Sequence, residues 1–101
     1  VMMAGAPPRH ERVVTGVANV LLPHLSEGSC EPFVGNTRVR TGATYCYPDV
    51  VVACDARFEE APSYCLLNPL VIVEVLSPST ESIDRSAKLV AYRTIDSLRE
   101  Y

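Results

Sequence analysis

With 101 residues the chain is long enough for one small domain, and a hydrophobic fraction of 48% argues against intrinsic disorder. The net charge of −3 does not favour nucleic-acid binding by the chain as a whole, although it does not exclude a local basic patch. The sequence contains no stretch of about 18 apolar residues that could span a membrane. The apolar run at its start is too short for the hydrophobic region of a signal peptide.

The first predicted element is an amphipathic helix that runs from the Pro7-Pro8 pair to Leu25. Prolines suit the first turn of a helix, where the backbone N–H has no partner within the helix. Pro23 should end or kink this helix near its last turn. The apolar residues recur at three- and four-residue steps and are Val14, Val17, Ala18, Leu21 and Leu25.

Three strands are predicted next, over residues 32–40, 45–54 and 69–76. The first alternates in part, with a polar face, and a turn at 41–43 separates it from the second. The second is apolar enough to lie centrally in a sheet. Residues 55–68 carry charges, Pro62 and no clear period, which indicates a loop.

A second helix is predicted after the third strand. Ser77, Ser79 and Thr80 can cap its start, and capping is favoured for them over catalysis. Its buried side is marked by Ile83, Ala87, Val90, Ala91 and Leu98. The predicted order is therefore helix, three strands, helix, in one domain covering residues 1–101. Because the chain stops at Tyr101 straight after this helix, we expect it to be a piece of a longer protein or the ordered part of one.

The cysteines form no CxxC pair, which argues against a zinc ribbon. A disulfide framework is possible, but nothing in the sequence indicates secretion. We therefore expect reduced thiols in a cytoplasmic protein, some of them filling the core. The four are Cys30, Cys46, Cys54 and Cys65.

Two acids stand out because of where they lie. Glu74 interrupts an apolar run, where an unpartnered carboxylate would lose roughly several kcal/mol of solvation, so it is a candidate metal ligand or general base. Asp49 lies at the start of the neighbouring predicted strand. The alternatives are a solvated carboxylate at a sheet edge for Glu74 and an ordinary turn residue after Pro48 for Asp49.

A lysine completes the candidate site. Asp84, Lys88 and Tyr92 are spaced i, i+4, i+8 and form one helix stripe, from which Lys88 can reach back to the carboxylates. The two acids would hold Mg²⁺ or Mn²⁺, the metal would activate a water, and Lys88 would orient that water or stabilise the transition state. The alternatives are a surface ion pair between Asp84 and Lys88, and core packing for Tyr92.

Other polar residues have weaker signals. His10 and His24 could ligate a metal, but a surface or capping role is favoured for each. Arg38 and Arg40 alternate onto one strand face and could meet phosphates, with a solvated face as the favoured reading.

Four ordered motifs resemble the Uma-two-type restriction endonuclease family of the PD-(D/E)XK nuclease superfamily. The resemblance extends from His10 to Tyr101, and the motifs are YPDVVV at 47–52, EVLSPST at 74–80, DRxxKxxxY at 84–92 and LREY at 98–101. It implies a restriction-endonuclease-like α/β core with a three-stranded mixed sheet between two helices, truncated before its last strands. The expected activity is Mg²⁺-dependent hydrolysis of DNA. The alternative is an inactive nuclease-fold module that acts in binding or oligomeric interaction.

The resemblance also implies roles for individual residues. Asp49 and Glu74 would be the metal-binding acids, and all three of Asp49, Glu74 and Lys88 would be catalytic. The superfamily lysine usually lies two positions after the second acid, where this chain has Leu76; in this family it has migrated to the following helix, which points to Lys88. Glu11 matches the place of another acid in some members. Because members continue past Tyr101 into another strand, we expect either an exposed sheet edge or a partner chain over it, in a homodimer.

Overall fold

The computed structural model describes residues 8–25, 28–35, 37–76 and 90–101. These residues form one long helix and five short strands, and the strands make a three-stranded and a two-stranded sheet. Within the described residues, no helix combines the length and the apolar character needed to cross a bilayer. In chain order the elements are α1 (Pro8–Leu25), β1 (Cys30–Val34), β2 (Val39–Thr41), β3 (Thr44–Cys46), β4 (Val50–Cys54) and β5 (Pro69–Val73).

The first helix is confirmed, with the bounds that the apolar spacing and the prolines indicate. Pro8 begins α1, where its missing N–H is harmless, and Pro23 lies in the last turn, two residues before the end. Glu11 lies in the first turn and His24 in the last, which suits the positive and negative ends of the helix dipole. The buried Val14 attaches the helix to β1 and β4.

The main sheet has the order β1-β4-β5, and both of its pairings are antiparallel. The expectation of a mixed sheet is therefore wrong for these three strands. β4 lies in the centre as predicted, and Val50, Val51 and Ala53 have no exposed surface. The register shifts beside Val52 and Ala53, where Ala53 opposes Pro69, a residue with no N–H to donate to the ladder.

Two of the predicted strands are each split in the structure. Residues 32–40 divide into β1 and β2 at Gly35, whose positive φ of 97° is incompatible with a continuous strand. Residues 45–54 divide into β3 and β4 around Pro48. The short strands β2 and β3 pair with each other as a hairpin. Gly42, which has a φ of 70°, lies in the turn of this hairpin. The segment 55–68 contains no named strand, as predicted.

The C-terminal segment differs from the predicted second helix. Residues 90–92 are helical, but the chain then turns, so the prediction of Leu98 on this helix is wrong. The prediction of Val90 on its buried side is also wrong, because Val90 is 68% exposed. The preceding part of the predicted helix, with Ile83 and Ala87, lies outside the described residues, as do the capping candidates at 77–80. After the turns the chain runs parallel to β5, and Glu100 accepts a hydrogen bond of 3.0 Å from the N–H of Ile72. Part of the β5 edge is thus paired by the chain's own residues.

The hydrophobic core joins the main sheet to three other parts of the chain. It brings Val51 and Ile72 of the sheet together with Val39 of β2, with Leu66 from the long loop and with Tyr92 from the C-terminal segment. The ring of Tyr92 is only 1% exposed, which confirms its predicted packing role. Through Tyr92, this packing holds the C-terminal segment against β4 and β5.

The prediction of four reduced thiols is wrong for two of the cysteines. Cys30 and Cys54 form a disulfide, because the antiparallel register of β1 and β4 places them directly opposite each other. A separation of 24 residues carries no signal of that pairing in the sequence. Cys46 and Cys65 are free thiols, and Cys65 is buried in agreement with the expected core-filling role.

Candidate active site

The two predicted acids lie at adjacent strand ends. Val50, the first residue of β4, pairs with Val73, the last residue of β5. Because the strands are antiparallel, continuing this register by one residue sets Asp49 opposite Glu74. Residues directly opposite on neighbouring strands place their side chains on the same face. The local sequence produces this position, since Pro48 and the apolar runs define where each strand starts and stops.

Asp49 is held by the backbone of the opposite strand end. Its Oδ2 accepts a hydrogen bond of 2.7 Å from the N–H of Val75, the residue after Glu74. Its own carbonyl accepts a bond of 3.3 Å from the N–H of Gly35, just beyond β1. The preceding Pro48 is fully buried. Asp49 therefore has a defined side-chain position and ties three chain segments together.

Glu74 is held from the C-terminal segment. Its Oε1 accepts a hydrogen bond of 2.7 Å from the hydroxyl of Tyr92, and Glu74 has at least one further interaction. Burial, and secondly the bond to Glu74, raises the pKa of Tyr92 well above its ordinary value, so the hydroxyl stays a donor. Sequence reasoning assigned Tyr92 to packing alone and missed this bond, which depends on how the C-terminal segment folds back.

His10 is a further neighbour of Asp49 that sequence reasoning missed. Its Nε2 lies 3.4 Å from Asp49 Oδ1, and its Nδ1 lies 3.3 Å from Glu11 Oε1. The imidazole side chain is 18% exposed, so it is partly enclosed and not the ordinary surface histidine that was favoured. Glu11, with a side chain 61% exposed, is linked to Asp49 through His10. The first turn of α1 thus supplies a third support for the acids.

The predicted lysine cannot be placed relative to the acids. Lys88 and its stripe partner Asp84 lie outside the described residues. Among the described residues no group of three or more His, Cys, Asp or Glu side chains is arranged to hold a metal ion. The described candidate ligands are therefore the carboxylates of Asp49 and Glu74, which suit a hard cation that keeps several of its waters.

The two arginines of the first predicted strand are engaged in contacts within the chain. Arg40 donates from Nε and Nη2 to Glu59 Oε1 at 3.0 and 2.7 Å. The hydrogen bond from Arg40 lowers the pKa of Glu59. Arg38 donates to the hydroxyl of Tyr47 at 2.7 Å and lies over the ring of Tyr45. Neither arginine belongs to a freely solvated strand face.

Comparisons with known proteins agree with the motif pattern. A family model described as "Uma2: Putative restriction endonuclease" matches residues 1–101. Two similar proteins come from Synechocystis sp. (strain ATCC 27184 / PCC 6803 / Kazusa). The uncharacterized protein sll1609 is 34% identical over 102 residues, which cover 98% of this chain and 58% of that protein. The uncharacterized protein slr1290 is 33% identical over 103 residues, with 98% and 53% covered. The chain thus spans about half the length of these relatives, and no solved structure matches it.

Proposed function

The chain belongs to the Uma2 family, and from this membership we propose that it is a metal-dependent endonuclease that hydrolyses DNA phosphodiester bonds. The helix, the central sheet and the C-terminal segment would then correspond to a restriction-endonuclease-like core of the PD-(D/E)XK superfamily. The proposal is supported most by one observation: two carboxylates lie at adjacent strand ends, and each is held by a hydrogen bond from another segment.

The chemistry of the donor set fits a small hard cation. The oxygens of Asp49 and Glu74 are the ligand type that Mg²⁺ and Mn²⁺ prefer, and a carboxylate oxygen that accepts one hydrogen bond keeps lone-pair capacity for another partner. When bound, the metal ion supplies an activated water and neutralises charge on the phosphate. The chain's own residues contribute the orientation of the two acids, through Val75 and Tyr92.

Lys88 remains a proposed member of the site on the strength of the family motif. An ammonium group close to the two acids would orient the attacking water and stabilise the charge that develops on the phosphate. Replacing Lys88 by methionine keeps most of the side-chain length and removes that charge. We expect this variant to bind divalent metal and to lose cleavage.

The test compares metal binding and cleavage in the same preparations. Calorimetric titration with MgCl₂ or MnCl₂ is followed by incubation with supercoiled plasmid, using wild type, Asp49→Asn and Glu74→Gln. We expect both variants to lose at least about 100-fold in cleavage, beyond what removal of a supporting residue alone produces. Glu31→Gln is the matched control, because Glu31 is an exposed carboxylate on β1, and it should behave as wild type.

Each other outcome has a distinct meaning. Metal binding by wild type without cleavage of any DNA would refute the enzyme and leave the inactive binding module of this fold. Cleavage that survives in both acid variants would remove Asp49 and Glu74 from the site. Light scattering of the same protein tests the proposed homodimer, whose mass would be twice the 11.0 kDa of one chain.

A further inference from the structure

A surface rich in exposed aromatic rings surrounds Arg38, close in sequence to the candidate active site. Its members come from the β2–β3 hairpin, from the residues directly before and after it, and from the long loop between β4 and β5. We call this set the Arg38 surface, and its rings are exposed by 43% to 63%. The set consists of Arg38, Tyr45, Tyr47, Phe58 and Tyr64.

The guanidinium at the centre of this surface is held in a defined position. Its carbon lies 5.0 Å from the ring centre of Tyr45 and 5.8 Å from that of Tyr47. Nε donates to the hydroxyl of Tyr47 at 2.7 Å, and Nη1 donates to the carbonyl of Ser63 at 3.3 Å. The Tyr45 and Tyr47 rings meet edge to face, 5.7 Å apart. Because these contacts are mutual, the cation and two rings form one ordered unit.

Arg38 has no acidic partner in the part of the chain that the structure describes. Among the described residues no carboxylate lies within ion-pair distance of it, whereas its strand neighbour Arg40 is paired with Glu59 at 2.7 Å. The two hydrogen bonds within the chain use two of the five guanidinium N–H donors. Donors therefore remain for an anionic ligand, for which a phosphate has suitable geometry.

An open cavity adjoins the arginine. Its volume is about 420 Å³, and it is lined by Thr37, Arg38, Phe58, Pro62, Ser63 and Tyr64. Tyr64 has a φ of 52°, a left-handed conformation that bulky residues rarely adopt, and its ring is 63% exposed. The fold thus accepts backbone strain at a position where the aromatic ring gains little burial, which is typical of functional positions.

We propose that the Arg38 surface binds unpaired bases of a DNA strand, which stack on its tyrosines while Arg38 contacts a phosphate. The proposal rests on the proposed nuclease function, and it names the form of DNA that the domain holds. Stacking needs exposed base faces, which a single strand offers and a duplex does not. Tyr47 precedes Asp49 by two residues, a reach of at most about 7 Å. The Arg38 surface therefore includes a residue within that backbone distance of one candidate acid, Asp49.

The experiment measures DNA binding separately from cleavage. Fluorescence anisotropy with a labelled oligothymidine of about 15 nucleotides is recorded in EDTA, for wild type and for Glu74→Gln. We expect both to bind it, and to bind a duplex of the same length at least about tenfold more weakly. Tyr64→Leu keeps an apolar side chain but removes the π face, and it should weaken binding about 5- to 100-fold. Tyr64→Phe is the matched control and should bind as wild type.

Further variants and controls decide between the outcomes. Arg38→Gln should reduce both the affinity and its dependence on salt. Circular dichroism checks the folding of each variant, and we expect the exposed Tyr64 position to tolerate both changes. The proposal would be overturned by equal binding of the duplex and the single strand, by unchanged binding in Tyr64→Leu, or by no binding of either DNA. If neither DNA binds, a protein partner is left for this surface.

The two proposals fail in distinguishable ways. Single-strand binding that depends on Tyr64, in a protein without cleavage, would refute the nuclease and keep the Arg38 surface as a DNA site. Cleavage that depends on Asp49 and Glu74, with binding unaffected by the surface variants, would refute the surface and keep the nuclease.

Discussion

Replacing Tyr92 by phenylalanine tests the support of the candidate site most directly. The change removes one hydroxyl, which donates a bond of 2.7 Å to Glu74, and it keeps a ring that is 1% exposed. The ring would retain its edge-to-face contact with Tyr101, at 4.8 Å between centres. The variant therefore isolates the hydrogen bond from the packing.

The expected loss of stability follows from the kind of bond that is removed. A hydrogen bond to a charged group contributes about 1.5–3 kcal/mol. Glu74 is partly exposed and keeps another interaction, so water can replace some of the lost bond and the lower end applies. A loss of about 1.5 kcal/mol lowers the melting temperature of a domain of this size by about 6–12 °C. Thermal and urea denaturation followed by circular dichroism measure it.

The same variant should also change metal binding if Glu74 is a ligand. Removing a group that orients a ligand typically lowers metal affinity or activity by about 10- to 100-fold. Tyr64→Phe is the control, because Tyr64 is 63% exposed, and its stability should stay within about 0.5 kcal/mol of wild type. If Tyr92→Phe stays within the same margin and binds Mg²⁺ as wild type does, Tyr92 does not support Glu74.

Three other predictions concern stability. Reducing the Cys30–Cys54 disulfide, or replacing both cysteines by serine, should lower the free energy of unfolding by about 3.5 kcal/mol for a separation of 24 residues. Identical urea midpoints with and without reductant would contradict this prediction. Asn68→Ala should cost about 2 kcal/mol, because its side chain accepts from the N–H of Arg57 and donates to the carbonyls of Cys54 and Asp55. Asn68→Asp keeps the acceptor but sets a carboxylate oxygen against both carbonyls, so it should cost at least as much in urea denaturation, and a wild-type midpoint for either variant would contradict this role. Because the pKa of Tyr92 is raised in the folded protein, the unfolded chain alone loses this proton above about pH 10. Stability should therefore fall as pH rises from 9 to 11, and less steeply in Tyr92→Phe; equal slopes would exclude this contribution.

Much of the secondary structure could be predicted because its signals are local. The helix over 8–25 follows from its apolar spacing and its prolines, and the central position of β4 follows from a run of apolar β-branched residues. The strand breaks at Gly35 and Pro48 also have local causes, yet periodicity alone joined the pieces on either side. A glycine or proline inside a predicted strand was the available signal.

The contacts of the site depend on residues that are distant in sequence. The approach of His10 to Asp49 requires α1 to pack with its first turn over the start of β4, and no residue pattern near His10 indicates that. The disulfide likewise depends on the register of two strands. Neither could be read from spacing.

By itself the sequence determined that Asp49 and Glu74 lie at the ends of two apolar strands, because strand ends are set by local hydrophobicity and by proline. It also determined the family, through motifs that keep their order along the chain. The tertiary structure decided what holds those acids. The bond from Val75 to Asp49 spans 26 positions and that from Tyr92 to Glu74 spans 18, and both exist because antiparallel register and core packing bring these segments together.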